Sequence, residues 1–169
     1  MRTLITNGTI VTADASYGAD LLIDGETIAA IGADLAANGT TADETIDASG
    51  RYVIPGGIDV HTHMELPFGG TFAKDTFETG TRAAAFGGTT SIVDFAVQSK
   101  GKSLREGLDA WRAKAEGNAV TDYGFHMIMS DVNDDTLREM DQLVAEPGIG
   151  QFVKRARFGQ QLTAVETAA

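Results

Sequence analysis

The chain has 169 residues, 43% of them apolar and 22% charged, near the globular norm of roughly 45–50% and 25%, which excludes wholesale disorder and fibrous repeats. With no cysteine, disulfides, thiolate metal sites and a cysteine nucleophile are excluded, and no apolar run approaches the roughly 18 residues of a membrane-spanning helix. A formal net charge of -11 argues against a nucleic-acid partner, which needs a basic patch.

The start, MRTLITNGTIVTAD, lacks the charged and then apolar regions of a secretion signal, so a cytoplasmic protein is expected. Residues 1–54 read as short strands and tight turns. Leu4-Ile5 leads into Asn7-Gly8, a hairpin signal, and then Ile10-Val11. Leu21-Leu22-Ile23 precedes Asp24-Gly25 and the alternating Ile28-Ala29-Ala30-Ile31. Asn38-Gly39 marks a turn before Thr45-Ile46-Asp47 and Arg51-Tyr52-Val53-Ile54. The expectation is a small antiparallel β unit that lies against something else.

After Pro55-Gly56-Gly57 the pattern changes. Ile58 to His63 reads as a strand. Asp75, with Glu78 three residues on, predicts a helix N-terminus, and Gly87-Gly88 its end. Thr89 to Phe95 is a second strand. Ser103 and Glu106 repeat the capping pattern for a helix through Trp111. A third strand covers about Tyr123 to Met129. Asp134 or Asp135 caps a helix bearing Leu137, Met140, Leu143 and Val144, ended by Pro147-Gly148, and Ile149 to Val153 is a candidate fourth strand.

Strands alternating with helices at this spacing mean βαβ units and a parallel sheet. Four strands and three helices make half of a (β/α)₈ barrel, a fold of about 250 residues. An open doubly wound sheet is the alternative, weakened by the lack of G-x-G-x-x-G after the first strand.

The chemistry concentrates in Gly57-Ile58-Asp59-Val60-His61-Thr62-His63. Alternation along a strand puts Asp59, His61 and His63 on one face. Two imidazoles at the C-terminal end of a parallel strand suit one divalent ion such as zinc, and barrel enzymes place their sites at that end. A catalytic zinc needs at least three protein ligands, so the pair is not a whole site. His126, mid-strand, reads as packed interior more readily than as a ligand. Asp94 either lines the same mouth or serves as a cap or support. Glu65 reads as a surface carboxylate. Leu66-Pro67-Phe68-Gly69-Gly70 is a lid over a pocket or a loop packed under the rim. Asp131 to Asp135 lack a calcium-loop pattern and read as turn and cap residues.

The run from Pro55 to Thr71, PGGIDVHTHMELPFGGT, together with Asp75–Thr81, Ala83–Thr90 and Ile92–Phe95, closely resembles the dihydropyrimidinase/D-hydantoinase family of cyclic amidohydrolases. The resemblance runs from about residue 3 to 149. It implies an α/β chain: part of a small β-sandwich over residues 1–54, then the first half of a metal-dependent TIM-like (β/α)₈ barrel over 55–150, about four strands. It implies that His61 and His63 bind one ion of a binuclear, usually zinc, centre. It implies a carbamylated bridging lysine at strand four, for which Lys154 is the candidate, and an apolar lid at Leu66 and Phe68 contacting the substrate. The catalytic aspartate and further histidines of the family come from later strands.

Residues 151–169 depart from that pattern. They hold Lys154, Arg155 and Arg157 against Glu166 alone, a net +2, leaving -13 for residues 1–150. Gly148-Ile149-Gly150-Gln151-Phe152-Val153-Lys154 is one residue longer than the family's strand and no tyrosine follows. The basic tail is therefore expected to mark an altered reading frame or a truncation, and Lys154 reads equally as a tail lysine. The family resemblance implies a hydrolase opening hydantoins or 5,6-dihydropyrimidines to N-carbamoyl amino acids, with a small cyclic amide as partner and a homotetramer as assembly. The alternative is a non-catalytic fragment or scaffold-like relative, and this chain alone is expected to be inactive.

Overall fold

The protein is described by a computed structural model covering residues 1–154 and Val165–Glu166, with side chains through Gly150. Residues 155–164 and 167–169, and the side chains of the basic tail including that of Lys154, lie outside the described residues. The chain divides into two units, Met1–Pro55 and Gly56–Ala169.

In the first unit β1 (Arg2–Val11) buries alternate residues, Leu4, Thr6, Gly8 and Ile10. It pairs antiparallel with β2 (Ser16–Asp24), which pairs antiparallel with β3 (Thr27–Gly32). Asn7-Gly8 is not the expected hairpin. The register slips between Ile5 and Gly8, making a bulge inside one long strand, and the chain turns at Thr12–Ala15, where the Thr12 N–H donates to the Ala15 carbonyl at 2.8 Å. Asn7 adopts φ 60°, a left-handed conformation that Asn tolerates and that serves a bulge as well as a turn. Its N–H donates to the buried carboxylate of Asp20 at 3.0 Å. The all-antiparallel expectation is also corrected: β4 (Glu44–Asp47) and β5 (Tyr52–Val53) run parallel to β1 on its other edge. Residues 33–43 carry the chain back past β1, so β4 enters in the same direction as β1.

In the second unit β6 (Gly57–Thr62), β9 (Thr89–Val97), β10 (Asp122–Met129) and β11 (Ile149–Lys154) form a parallel sheet in that order. β12 (Val165–Glu166) adds antiparallel to β11. Between β6 and β9 lie a hairpin of β7 (Pro67–Phe68) and β8 (Thr71–Phe72), then α1 (Phe77–Phe86). α2 (Leu104–Ala115) follows β9 and α3 (Asp134–Leu143) follows β10. The core of this unit comprises Phe77, Ile92, Leu104, Leu108, Trp111, Phe125, Met127 and Leu143. In α3 only Leu143 of the four expected apolar positions is fully buried; Leu137 and Val144 are exposed.

Two helix starts shift by a residue or two. Thr76, not Asp75, caps α1, its hydroxyl accepting the Thr79 N–H at 3.2 Å. Asp75 sits one residue too early, its carbonyl taking the Glu65 N–H at 2.9 Å. Asn133 caps α3 by accepting from Asp135 and Thr136. Asp134 and Asp135 fall in the first turn, where their charge favours the helix N-terminus. Ser103 and Glu106 form the capping box expected for α2.

Candidate metal centre

His61 and His63 come together at the C-terminal end of β6. Their ring centroids are 5.1 Å apart at right angles, and both side chains are exposed. The buried ring of Phe95 on β9 packs against both, at 4.5 Å and 5.0 Å. Partial desolvation and the neighbouring His61 hold the His63 imidazole below its ordinary pKa, against an opposite pull from Asp94. A neutral imidazole is the form that ligates a metal.

Strict alternation does not carry through this strand. Asp59 pairs with Ile92 but Thr62 pairs with Asp94, so β6 has one extra residue in between. Asp59 spends its carboxylate on the His61 backbone N–H at 3.1 Å, so the expected shared face of Asp59 and the histidines is not a ligand trio. Among the described residues, no group of three or more His, Asp or Glu side chains is placed to hold a metal ion.

Asp94 is fully buried. Its Oδ2 accepts from the Thr62 hydroxyl at 2.9 Å and the Met64 N–H at 2.7 Å. Its Oδ1 accepts from the Phe95 N–H at 2.8 Å and the Trp111 indole N–H at 3.1 Å. Burial pushes its carboxyl pKa up, and these four bonds pull it back. Asp94 is therefore neither a helix cap nor a mouth-lining group. It ties β6 and α2 to β9, a role that an acid in an otherwise apolar strand could have suggested.

His126 is 8% exposed and also packs against Phe95, with ring centroids 4.9 Å apart. Its Nε2 lies 3.0 Å from the Val60 carbonyl. A carbonyl only accepts, so Nε2 carries the proton, and Nδ1 has no partner among the described residues. Gly150 makes room for the ring, since a Cβ there would stand 2.8 Å from Nδ1. His126 is thus interior, in keeping with the packed reading, but it is also bonded to the histidine strand.

Leu66 is half-buried against the core of its unit. Phe68 is 52% exposed at the β7–β8 hairpin, which turns through Gly69 and Gly70 at φ 59° and 82°. Glu65 takes a left-handed φ of 52° and is half-buried. Gln98, unremarked in the sequence, follows β9 fully buried and accepts from the Ser130 and Asp131 N–H groups at 2.9 Å and 3.0 Å.

Among the described residues, no helix is long and apolar enough to cross a membrane. The chain is 59% identical to a D-hydantoinase of Streptomyces coelicolor over 99% of its own length and 38% of that protein. It is 54% identical to a D-hydantoinase of Geobacillus stearothermophilus over 90% of this chain and 32% of the relative. The crystal structure of a dihydropyrimidinase from Brevibacillus agri superposes with a TM-score of 0.89 at 52% identity, covering 97% of this chain and 35% of that one. The chain thus spans well under half the length of these relatives. The model of the amidohydrolase family matches residues 52–158, which take in the histidine strand, Asp94 and His126, and the chain belongs to that family.

Proposed function

We propose that this chain supplies the first two metal ligands, His61 and His63, of a divalent-metal hydrolase that opens cyclic amides of the hydantoin or 5,6-dihydropyrimidine type. The observation that carries the reading is the imidazole pair at the C-terminal end of a parallel strand, in a chain about half identical or more to proteins named D-hydantoinase. The sequential strand order β6-β9-β10-β11 supports the first half of a closed barrel, since a doubly wound sheet reverses its order. The first unit is proposed as part of a β-sandwich, and the cytoplasm as the place of action.

The donor set fits the group. Two nitrogen ligands on one strand suit zinc or a similar ion, and the lowered pKa of His63 favours the free base. When bound, two such ions supply an acidified water and an electrophile for the ring carbonyl. The chain's own part is to present His61 and His63 from a fixed backbone, to back them with Phe95, and to offer Lys154 at the end of β11 as a further ligand in carbamylated form. Leu66 and Phe68 are proposed to cover the substrate's exocyclic substituent. Net hydrolysis adds one water across the ring C–N bond, the carbon taking the hydroxyl and the nitrogen the proton, to give an N-carbamoyl amino acid.

Because the general acid of the family is assigned to a later strand, the 169-residue chain alone is proposed to be inactive. Homo-oligomeric assembly, a tetramer by family, belongs to the same proposal. Metal analysis of the purified full-length protein with a dihydrouracil and hydantoin ring-opening assay tests the reading. Bound zinc that is lost, with turnover, in a His61→Ala/His63→Ala variant is expected. Turnover that survives in that variant overturns it.

A further inference from the structure

We propose that Asp94 and His126 are positioning residues, which fix the histidine-bearing end of β6 from its neighbouring strands so that His61 and His63 project in one geometry. The inference rests on the metal-ligand reading of the two histidines. It concerns the residues between and beside them, Val60, Thr62 and Met64, each of which is held by one of these two buried side chains.

The need for such a grip follows from the ladder. Gly57, Ile58 and Asp59 register against β9, as does Thr62, but the slip leaves Val60 and His61 without register partners. Among the described residues β9 is the strand paired with β6, and the bulge at the functional end of β6 takes backbone groups out of that ladder, which other groups must satisfy. His126, from β10, packs against Phe95 and donates its Nε2–H to the Val60 carbonyl at 3.0 Å. Asp94, from β9, takes the Thr62 hydroxyl and the Met64 N–H on one oxygen. The grip is thus applied immediately before His61, between the histidines and immediately after His63.

Both groups are chemically specific to the task. Three of the four partners of Asp94 are N–H donors and the fourth is the Thr62 hydroxyl, which also lies 3.3 Å from the Val93 carbonyl, so the site favours an acceptor side chain. The amide of Asn would set its NH₂ against at least one of these N–H groups in either orientation. His126 must donate to a carbonyl from a position deep in the sheet. Its ring fits there because Gly150 on β11 has no side chain. Neither residue exposes an atom that a metal on His61 and His63 would need, so their effect passes through β6.

The test uses the full-length protein with two readouts, zinc affinity by chelator competition and ¹H–¹⁵N spectra of the metal-free imidazoles. Asp94→Asn and His126→Leu are each expected to weaken zinc binding about 10- to 100-fold and to move the His61 and His63 resonances. His126→Gln, which returns an N–H near the Nε2 position, is expected to restore most of both. Thr62→Val, which removes only the hydroxyl, is the milder probe if Asp94→Asn impairs folding, and should move the same resonances. Unchanged imidazole spectra in His126→Leu and Thr62→Val overturn the positioning role, as does a His126→Gln no better than His126→Leu. Failure of the metal reading itself registers separately, as zinc affinity unaltered by His61→Ala/His63→Ala, and the metal-free spectra still decide the positioning question.

Discussion

β6 and β9 lie side by side in one parallel sheet yet are held by different means. β9 pairs with β10 in unbroken register from Ser91 to Val97 and is buried along most of its C-terminal half. β6 is exposed at five of its six residues, and its register with β9 slips twice. The regular strand is secured by ladder and core, whereas the strand bearing the imidazoles is secured by side chains reaching into it. Functional side chains are thus placed where the main-chain pairing is weakest, and buried polar groups make up the difference.

The largest expected contrast is in the core. Ile92, on β9, is 1% exposed, so Ile92→Ala should cost about 2–5 kcal/mol of unfolding free energy. Ile58, on β6, is 67% exposed, and Ile58→Ala in the 169-residue chain should stay within about 0.5 kcal/mol. Urea denaturation of the two variants checks both. An Ile58→Ala loss as large as that of Ile92→Ala would break the comparison, because it would mean that β6 is covered in solution.

Next in size is the tie between the strands. Trp111→Phe keeps the ring in the core but removes the indole N–H that donates to Asp94. Losing a donor to a buried, charged acceptor should cost about 1–3 kcal/mol. The same measurement on Trp111→Phe combined with Asp94→Asn should give less than the sum of the single losses, since both act on one network. Strict additivity would remove Trp111 from the clasp.

Helix starts give a smaller effect and separate what sequence could reveal from what it could not. Asn133→Ala should lower stability by about 1 kcal/mol and Asp134→Ala by less, read from the same unfolding curves. Ser103 and Glu106 were legible because a Ser followed three residues later by Glu is the usual reciprocal cap. Thr76 with Thr79 and Asn133 with Thr136 close the same box through threonine hydroxyls, beside aspartates whose cap signal in sequence is at least as strong. The alternation of strands and helices and the H-x-H pair were likewise visible, being local patterns. The Asn7-Gly8 signal was read for its backbone preference, which a bulge shares with a hairpin. What held β6 was not legible. Asp94 stands out in an apolar strand, but its partners lie 30 and 32 residues before it and 17 after, and His126 meets Val60 across 66 residues. Those pairings follow from sheet order and the slip in register, which no local pattern encodes.

The smallest effect tests whether the helices behind the regular strands depend on charge as the β6 end depends on buried polar bonds. Glu146, just beyond α3, accepts from Arg105 and pairs with Arg112 at 2.8 Å, both on α2. Its hydrogen bond with Arg105 is the chief cause that lowers its pKa to about 2. A carboxylate whose folded pKa is depressed adds stability above its ordinary pKa, and that stability is lost as pH falls through the folded value. The contribution of Glu146 should therefore be complete near neutrality and fade between the ordinary carboxylate range and about pH 2. The pairs are partly open to water, with side chains 27–39% exposed, so salt should shrink the effect. Comparing acid unfolding of the chain with that of Glu146→Gln at low and high salt measures it. The two curves should differ most near neutrality at low salt and converge toward about pH 2. A gap that persists unchanged at pH 2 would assign Glu146 a packing role, leaving the α2–α3 contact, like the core of β9, independent of charge.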